Sequence, residues 1–359
     1  MEFLAQYGMF LAKVVTFVVA LLVLIGFIAA AGSKGRKKHD KGHIEVTNLN
    51  ESFRDMADTL RAAALDKLTL KQEHKNEKKQ QKQEEKTRKK AAKHRAAEAD
   101  KPPSLASTKK RVFVLDFHGD IKASATENLR QEVSAVLSLA TESDEVVVNV
   151  ESAGGLVHSY GLASSQLARI TERKIPLTVC VDKVAASGGY MMACVADKIL
   201  AAPFAILGSI GVVAQVPNFN KLLKKNNIDY EMFTAGEYKR TVTMFGENTD
   251  KDREKFKNDL EDTHVLFKEF VRQHRPSVDI AKVATGEIWF GRRAMDVNLA
   301  DELQTSDEYL LKQHPDADIY HVSFVQRKSL PEKIGVAAQG TIDRLLLTWW
   351  ERAHQNRWF

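Results

Sequence analysis

The sequence predicts an α/β domain of stacked parallel βαβ units, preceded by one transmembrane helix and a charged helical or disordered arm. Three observations carry this. Short β-branched runs alternate with helical patterns from Arg111 onward, the order that builds a parallel sheet. An uncharged run, Val14–Gly32, precedes them. Between the two, residues 33–111 hold 23 Lys and Arg against 12 Asp and Glu, whereas 112–359 hold 29 against 34. The formal net charge of +6 hides that division.

With 359 residues, 44% apolar and 28% charged, the chain can bury a sizeable core. Its composition excludes collagen, a disulfide scaffold and a fully disordered chain. Cys180 and Cys194 lie in apolar runs without metal-ligand spacing, so they are expected as buried free thiols.

At 1.5 Å per residue, Val14–Gly32 spans roughly the 30 Å hydrocarbon core. It exceeds the roughly 7–15 residues of a signal-peptide apolar region, so residues 1–32 read as a retained anchor. Residues 33–110 read as a charged Lys-rich linker. Lys71–Lys93 has no large apolar side chain and cannot bury a core face. With no interleaved aromatics and no motif beside it, the run argues against nucleic acid and for a solvated arm near anionic lipid heads. Phe53, Met56, Leu60, Ala64 and Leu68 recur at helical spacing and predict one amphipathic helix around residues 50–70. Lys101-Pro-Pro-Ser then marks the start of the globular part, residues 111–330.

Within that part, Arg111–Phe117 reads as a buried strand. Ser124-Ala-Thr-Glu127 has capping-box spacing and predicts a helix to about Ala140. Val146–Val150 is a β-branched run, Tyr160–Arg173 is helical, and Ile175–Val181 and Ile199–Ala202 return to strand. Asp250–His274 is a long charged helix ended by Pro276. Internal repeats are not evident. Residues 331–359 form a C-terminal amphipathic segment. Its run Ile342–Trp350 reads as a packing helix or oligomer contact rather than a membrane-surface helix.

Active groups of α/β folds gather in the turns after strand C-termini. The first such turn is Glu151-Ser-Ala-Gly-Gly155, whose paired glycines let backbone N–H groups approach a ligand. No Lys follows as in a phosphate loop, so a nucleotide site is not expected. The second is Ala185-Ala-Ser-Gly-Gly-Tyr190. Its Ser187 has the small neighbours that a nucleophile elbow needs, beside the N–H of Gly188, although Ala185 replaces the first Gly of the strict pattern. A helix N-cap is the ordinary alternative for such a Ser. A nucleophile needs a base. His118 and His158 stand at strand or turn ends without a distinctive setting. Lys239, in the strand-like stretch Phe233–Thr243, is the other candidate, as a Lys kept neutral by burial. The third Gly turn, Gly208-Ser-Ile-Gly-Val212, carries Ser209, which could hold the Lys ammonium.

Ser-Ala-Gly-Gly, Ala-Ser-Gly-Gly-Tyr, Gly-Ser-Ile-Gly-Val and Gly-Glu-Tyr-Lys-Arg, in this order over about residues 111–305, resemble peptidase family S49, the signal peptide peptidase A group. The anchor and Lys-rich arm resemble its branch with one catalytic domain behind an anchor. The resemblance implies a ClpP/crotonase-like fold of repeated ββα units. It implies Ser187 as nucleophile, Lys239 as general base 52 residues later, and Ser209 as the lysine-orienting Ser. The implied oxyanion donors are the N–H of Gly188 and of Gly154 or Gly155. Ala153 departs from the family's usual Pro but leaves both glycines. The implied enzyme is a membrane-anchored serine endopeptidase with no cofactor and no metal. Its substrates would be hydrophobic peptides, such as remnant signal peptides or misfolded envelope proteins. One set of motifs in about 250 residues implies a homo-oligomeric ring, an octamer, with each dyad shared between protomers. A crotonase-like acyl-CoA enzyme and a non-catalytic membrane scaffold are the rival readings. Lys34, Arg36, Lys37, Lys38 and Lys41 follow the anchor while only Lys13 precedes it. By the positive-inside rule the domain would be cytoplasmic. The resemblance implies the periplasmic face of a bacterial inner membrane, and that reading is adopted.

Overall fold

The computed structural model describes residues 7–11, 13–17, 42–66 and 109–326, with single helical positions at 79, 82 and 86. Its elements begin with strand β1 (Gly42–Asn48), helix α1 (Leu49–Ala64), β2 (Lys110–Gly119), α2 (Thr126–Leu137), β3 (Glu145–Ser152) and α3 (Val157–Thr171). Then follow β4 (Leu177–Val181), β5 (Val184–Ala186), α4 (Gly188–Ala193), β6 (Lys198–Ala201) and β7 (Ile206–Gly208). The remainder is α5 (Asn220–Lys225), α6 (Asp250–His274), α7 (Ile280–Val283), β8 (Ile288–Phe290), α8 (Gly291–Asp296), β9 (Glu302–Leu303), α9 (Ser306–Gln313) and β10 (Ala317–Gln326). Ile44–Phe324 form one compact unit.

The strands join in one mixed sheet whose main path runs β1-β10-β2-β3-β4-β6-β9. From β10 to β9 the pairings on this path are parallel, as alternating helices require. The central strands carry apolar side chains on both faces, and both faces are covered. On one face Phe113, Leu115, Phe117, Val146, Val148, Leu177 and Val179 pack together. On the other, Val112, Val114, Val147 and Cys180 pack with Leu200, Leu310 and Ile319. Each such side chain contributes about 1.5–3 kcal/mol on burial.

The sheet divides at the C-terminal end of β3. There Ser152 pairs with Ala185 of β5, β5 pairs parallel with β7, and β7 pairs antiparallel with β8. The turns after β3, β5 and β7 therefore emerge side by side.

Several expectations change. The 33–110 stretch supplies a strand as well as a helix, and β1 lies beside β10 at the sheet edge. Helix α1 stops at Ala64, and of its predicted apolar face Phe53 packs on the domain while Met56 and Leu60 stay exposed. The buried Asn50 docks it, accepting from Ile319 N at 2.6 Å and donating to Ala317 O at 2.9 Å. Ser124 caps no helix. Its N–H and hydroxyl bond the Asp120 carboxylate at 2.8 and 2.9 Å, so α2 starts only at Thr126 and ends at Leu137. The Phe233–Thr243 stretch forms no strand but largely exposed turns, and among the described residues no strand pairs with it. Among the described residues no helix is long and apolar enough to cross a membrane. Most of Val14–Gly32, and all of 331–359, lie outside the described residues.

Candidate active site

The turn after β5 turns sharply at Ser187, whose φ of 51° and ψ of −118° are unusual for a residue with a side chain. Such a backbone costs on the order of 1–3 kcal/mol and persists only where its surroundings impose it. Here they do. Ser187 N donates to Gly208 O at 2.8 Å, and Met191 N closes the first turn of α4 on Ser187 O at 2.9 Å. The result is the strand-to-helix elbow that lifts a hydroxyl above a sheet. Ser187 is half-buried, and its hydroxyl has no hydrogen-bond partner among the described residues. It is not acting as a helix cap.

Glycines let three chain segments meet at this point. A Cβ at Gly154, where φ is +92°, would lie 2.8 Å from Gly188 N and from the Ser187 Cβ. A Cβ at Gly188 would lie 2.4 Å from the Tyr160 ring, and one at Gly155 would lie 2.1 Å from Ile121 O. Gly188 heads α4, so its N–H has no intrahelical acceptor. Of the two loop glycines, Gly154 N–H is bound to Ser152 Oγ at 3.0 Å, whereas Gly155 N–H has no partner among the described residues. The loop thus offers Gly155 rather than Gly154 to a ligand oxygen.

Ser209 is the counterpart of Ser187 on the neighbouring strand. The β5–β7 register, Ala186 opposite Gly208, brings the two serines to adjacent positions just past their strand ends. Ser209 also has a positive φ, 52°, and its N–H is held by Glu287 O at 2.7 Å.

Lys239 is elsewhere. It is exposed, on an irregular segment that meets the N-terminal end of α6 through Glu237 and Tyr238. Lys251 bonds Glu237 at 2.7 Å and lies 5.9 Å from the Tyr238 ring centre, which is 5.4 Å from Lys255. The same helix meets the serine turns at His264, 3.3 Å from Ile210 O. At 1.5 Å per residue, 9 to 13 residues of helix place those levels about 14–20 Å apart. The structure therefore brings Ser187, Gly188, Gly154, Gly155 and Ser209 together and leaves Lys239 outside. The burial expected for Lys239 is absent within this chain.

Neither histidine replaces it. His118 is exposed and lies 3.6 Å from Glu151, which also bonds Lys183 at 3.0 Å, and His158 is exposed on α3. His118, Asp120, Glu151 and Ser152 line a cavity of about 330 Å³ beside the loop. Cys180 and Cys194 are buried free thiols, and burial raises both above the ordinary thiol value. Among the described residues no cluster of His, Cys, Asp or Glu is placed to hold a metal ion. Ser152 and Tyr160 were not singled out by the sequence, although Ser152 sits inside the first Gly motif.

Fold and elbow define an α/β protein with a hydroxyl site at strand C-termini. The family models sharpen this: Peptidase family S49 N-terminal matches residues 2–167 and Peptidase family S49 matches residues 169–319. The chain is 49% identical over 339 residues to "Probable protease SohB" of Haemophilus influenzae, covering 94% of each. It is 44% identical over 348 residues to the protein of the same name from Buchnera aphidicola, covering 97% of each. Among solved structures it is similar to a membrane-bound stomatin-specific protease at TM-score 0.37 and 14% identity, over 58% of this chain and 86% of that one. The chain belongs to peptidase family S49 and is a protease of the serine type.

Proposed function

We propose that the chain is a membrane-anchored endopeptidase in which Ser187 is the nucleophile and Lys239 of a neighbouring copy is the general base. The observation that carries this is the isolation of Ser187. Its hydroxyl sits on a strained elbow beside two available N–H groups, yet has no base within hydrogen-bond reach among the described residues. Lys239 projects on an exposed segment rich in uncovered apolar side chains, with Val213 81% and Phe233 89% exposed. Such side chains call for cover, and a second copy in a closed ring would supply both cover and base.

In this reading Ser187 Oγ attacks the scissile carbonyl carbon and Lys239 takes the Oγ proton. The tetrahedral oxyanion accepts from Gly188 N–H and Gly155 N–H, each donor worth about 2.7–4 kcal/mol in comparable sites. Lys239 then gives its proton to the leaving amine, and water releases the acyl group. Ser209 orients the Lys239 amine and, once it has taken the proton, its ammonium. Substrates are unfolded apolar peptides that fit an enclosed chamber. The anchor is Val14–Gly32, with the domain on the periplasmic face of a bacterial inner membrane.

The test is complementation. Ser187→Ala and Lys239→Ala, each inactive alone, regain activity when co-expressed, because mixed rings contain interfaces that pair an intact Ser187 with an intact Lys239. Mixed rings that stay inactive would sink the shared site. An acyl-CoA enzyme or a scaffold would show no fluorophosphonate labelling of Ser187 that depends on Lys239.

A further inference from the structure

Beneath the Gly154 loop, three hydrogen bonds run in one direction. Gly154 N donates to Ser152 Oγ at 3.0 Å, Ser152 Oγ lies 2.5 Å from Tyr160 Oη, and Tyr160 Oη donates to Asp120 O at 2.8 Å. A phenol has one proton to give. With that proton on the Asp120 carbonyl, Ser152 donates to Tyr160 and accepts from Gly154. Each hydroxyl is then a donor once and an acceptor once, with no freedom to reverse. Both side chains are buried, Ser152 at 2% and Tyr160 at 0% exposure. The space for them exists because residue 119 is glycine: a Cβ there would lie 2.4 Å from both oxygens.

The same two residues touch the second donor segment. The Tyr160 ring is the floor under Gly188, and a Cβ on Gly189 would lie 2.5 Å from Ser152 O. One serine and one tyrosine therefore hold both the loop that carries Gly155 and the helix start that carries Gly188.

We infer that Ser152 and Tyr160 are positioning residues of the oxyanion site. By retaining Gly154 N–H inside the hydroxyl chain, they leave Gly155 N–H as the loop's donor and keep it in register with Gly188 N–H. The inference rests on Ser187 as nucleophile. It adds that the donor pair is set by two side chains that never touch substrate.

Tyr160→Phe keeps the ring against Gly188 and deletes the hydroxyl, while Ser152→Ala deletes one oxygen. Full-length wild type and variants in detergent are assayed with one fluorogenic apolar peptide, and kcat is normalised to Ser187 sites counted by end-point fluorophosphonate labelling. Each variant is expected to lose 10- to 100-fold in kcat with KM within threefold. The Ki of a peptide aldehyde, whose adduct places an oxyanion in the site, should rise by the same factor, a change that mere loss of folded protein does not produce. The double variant should lose no more than the worse single one, because the bonds form one chain. Wild-type kcat per labelled site in both variants, or losses that multiply, would overturn the inference. If Tyr160→Phe does not fold, Ser152→Ala decides by the same criteria. Full turnover in Ser187→Ala would instead refute the nucleophile, and this inference with it.

Discussion

At the scale of single residues, the site is defined by places where a side chain is missing. Gly154 is the clearest. Any Cβ there crowds Gly188 N and Ser187 and must adopt a left-handed φ, costing about 1–2 kcal/mol. Gly154→Ala is expected to lower Tm by a few degrees and kcat by about 100-fold or more, the usual loss for one oxyanion donor. Melting and steady-state kinetics separate the two effects. A lowered Tm with kcat within threefold of wild type would mean that Gly188 N–H takes no part in turnover. Ser187→Ala has the opposite signature. The methyl fits where the hydroxyl did, so Tm should hold while peptide hydrolysis disappears. Lys239→Arg should be inactive as well, since a guanidinium in a protein does not give up its proton to become a base.

At the scale of elements, β10 carries a pH-sensitive contact. His321 Nε2 and Asp116 Oδ2 lie 2.9 Å apart, joining β10 to β2, and Asn149 of β3 donates to the other Asp116 oxygen at 2.8 Å. The Asp116 bond holds His321 above its ordinary value, with Glu132 and Glu45 adding to the shift, and the same bond holds Asp116 below the usual carboxylate range. The His321 contribution is complete below its unfolded value of about 6.5 and is lost as pH rises through the raised folded value. The Asp116 contribution is complete above about 3.9 and is lost as pH falls through the lowered folded value. The pair is partly solvated, at 29% and 39% side-chain exposure, so it is worth under about 1 kcal/mol. Between pH 6 and 8.5 the wild-type Tm should therefore fall by about 2 °C more than that of His321→Gln. Parallel melting curves for the two proteins would remove this contact from the stability of the sheet.

For the whole molecule, the proposed ring gives the segment between β7 and α6 a contact with another copy. It exposes Val213, Leu222, Ile228 and Phe233 and carries Lys239 at the far end of α6. Phe233→Glu is expected to weaken assembly and activity together, with the far-ultraviolet spectrum of the domain unchanged. Sedimentation in detergent should give wild type the mass of a closed ring of about eight chains and the variant smaller species. A variant that still forms full rings would place the interface elsewhere.

The central strands were legible in the sequence. Runs such as Arg111–Phe117 and Val146–Val150 are apolar on both faces, and only a strand covered by helices on both sides can use them. Helix α6 was legible to the residue, from Asp250 to His274, through its charge pattern and its terminal Pro276. The Gly-rich turns that carry Ser187, Gly154, Gly155 and Gly188 were visible in the sequence as motifs after strand ends. Other features were decided only in three dimensions. Strands β5 and β7 have three residues each, too few for any period to show, yet their pairing sets Ser187 beside Ser209. The capping-box spacing at Ser124 yielded to the nearer Asp120 carboxylate. Ser152 and Tyr160 carry no local signal, because their role is one hydrogen bond across 8 residues and another from Tyr160 to Asp120 across 40. Lys239 was expected to meet Ser187 of a neighbouring chain, and within one chain about half the length of α6 separates the Lys239 segment from the serine turns. Local pattern determined which elements form, because burial of a face depends on near neighbours in sequence. The site depended on which turns those elements bring together, and that is set by contacts between residues far apart in the chain.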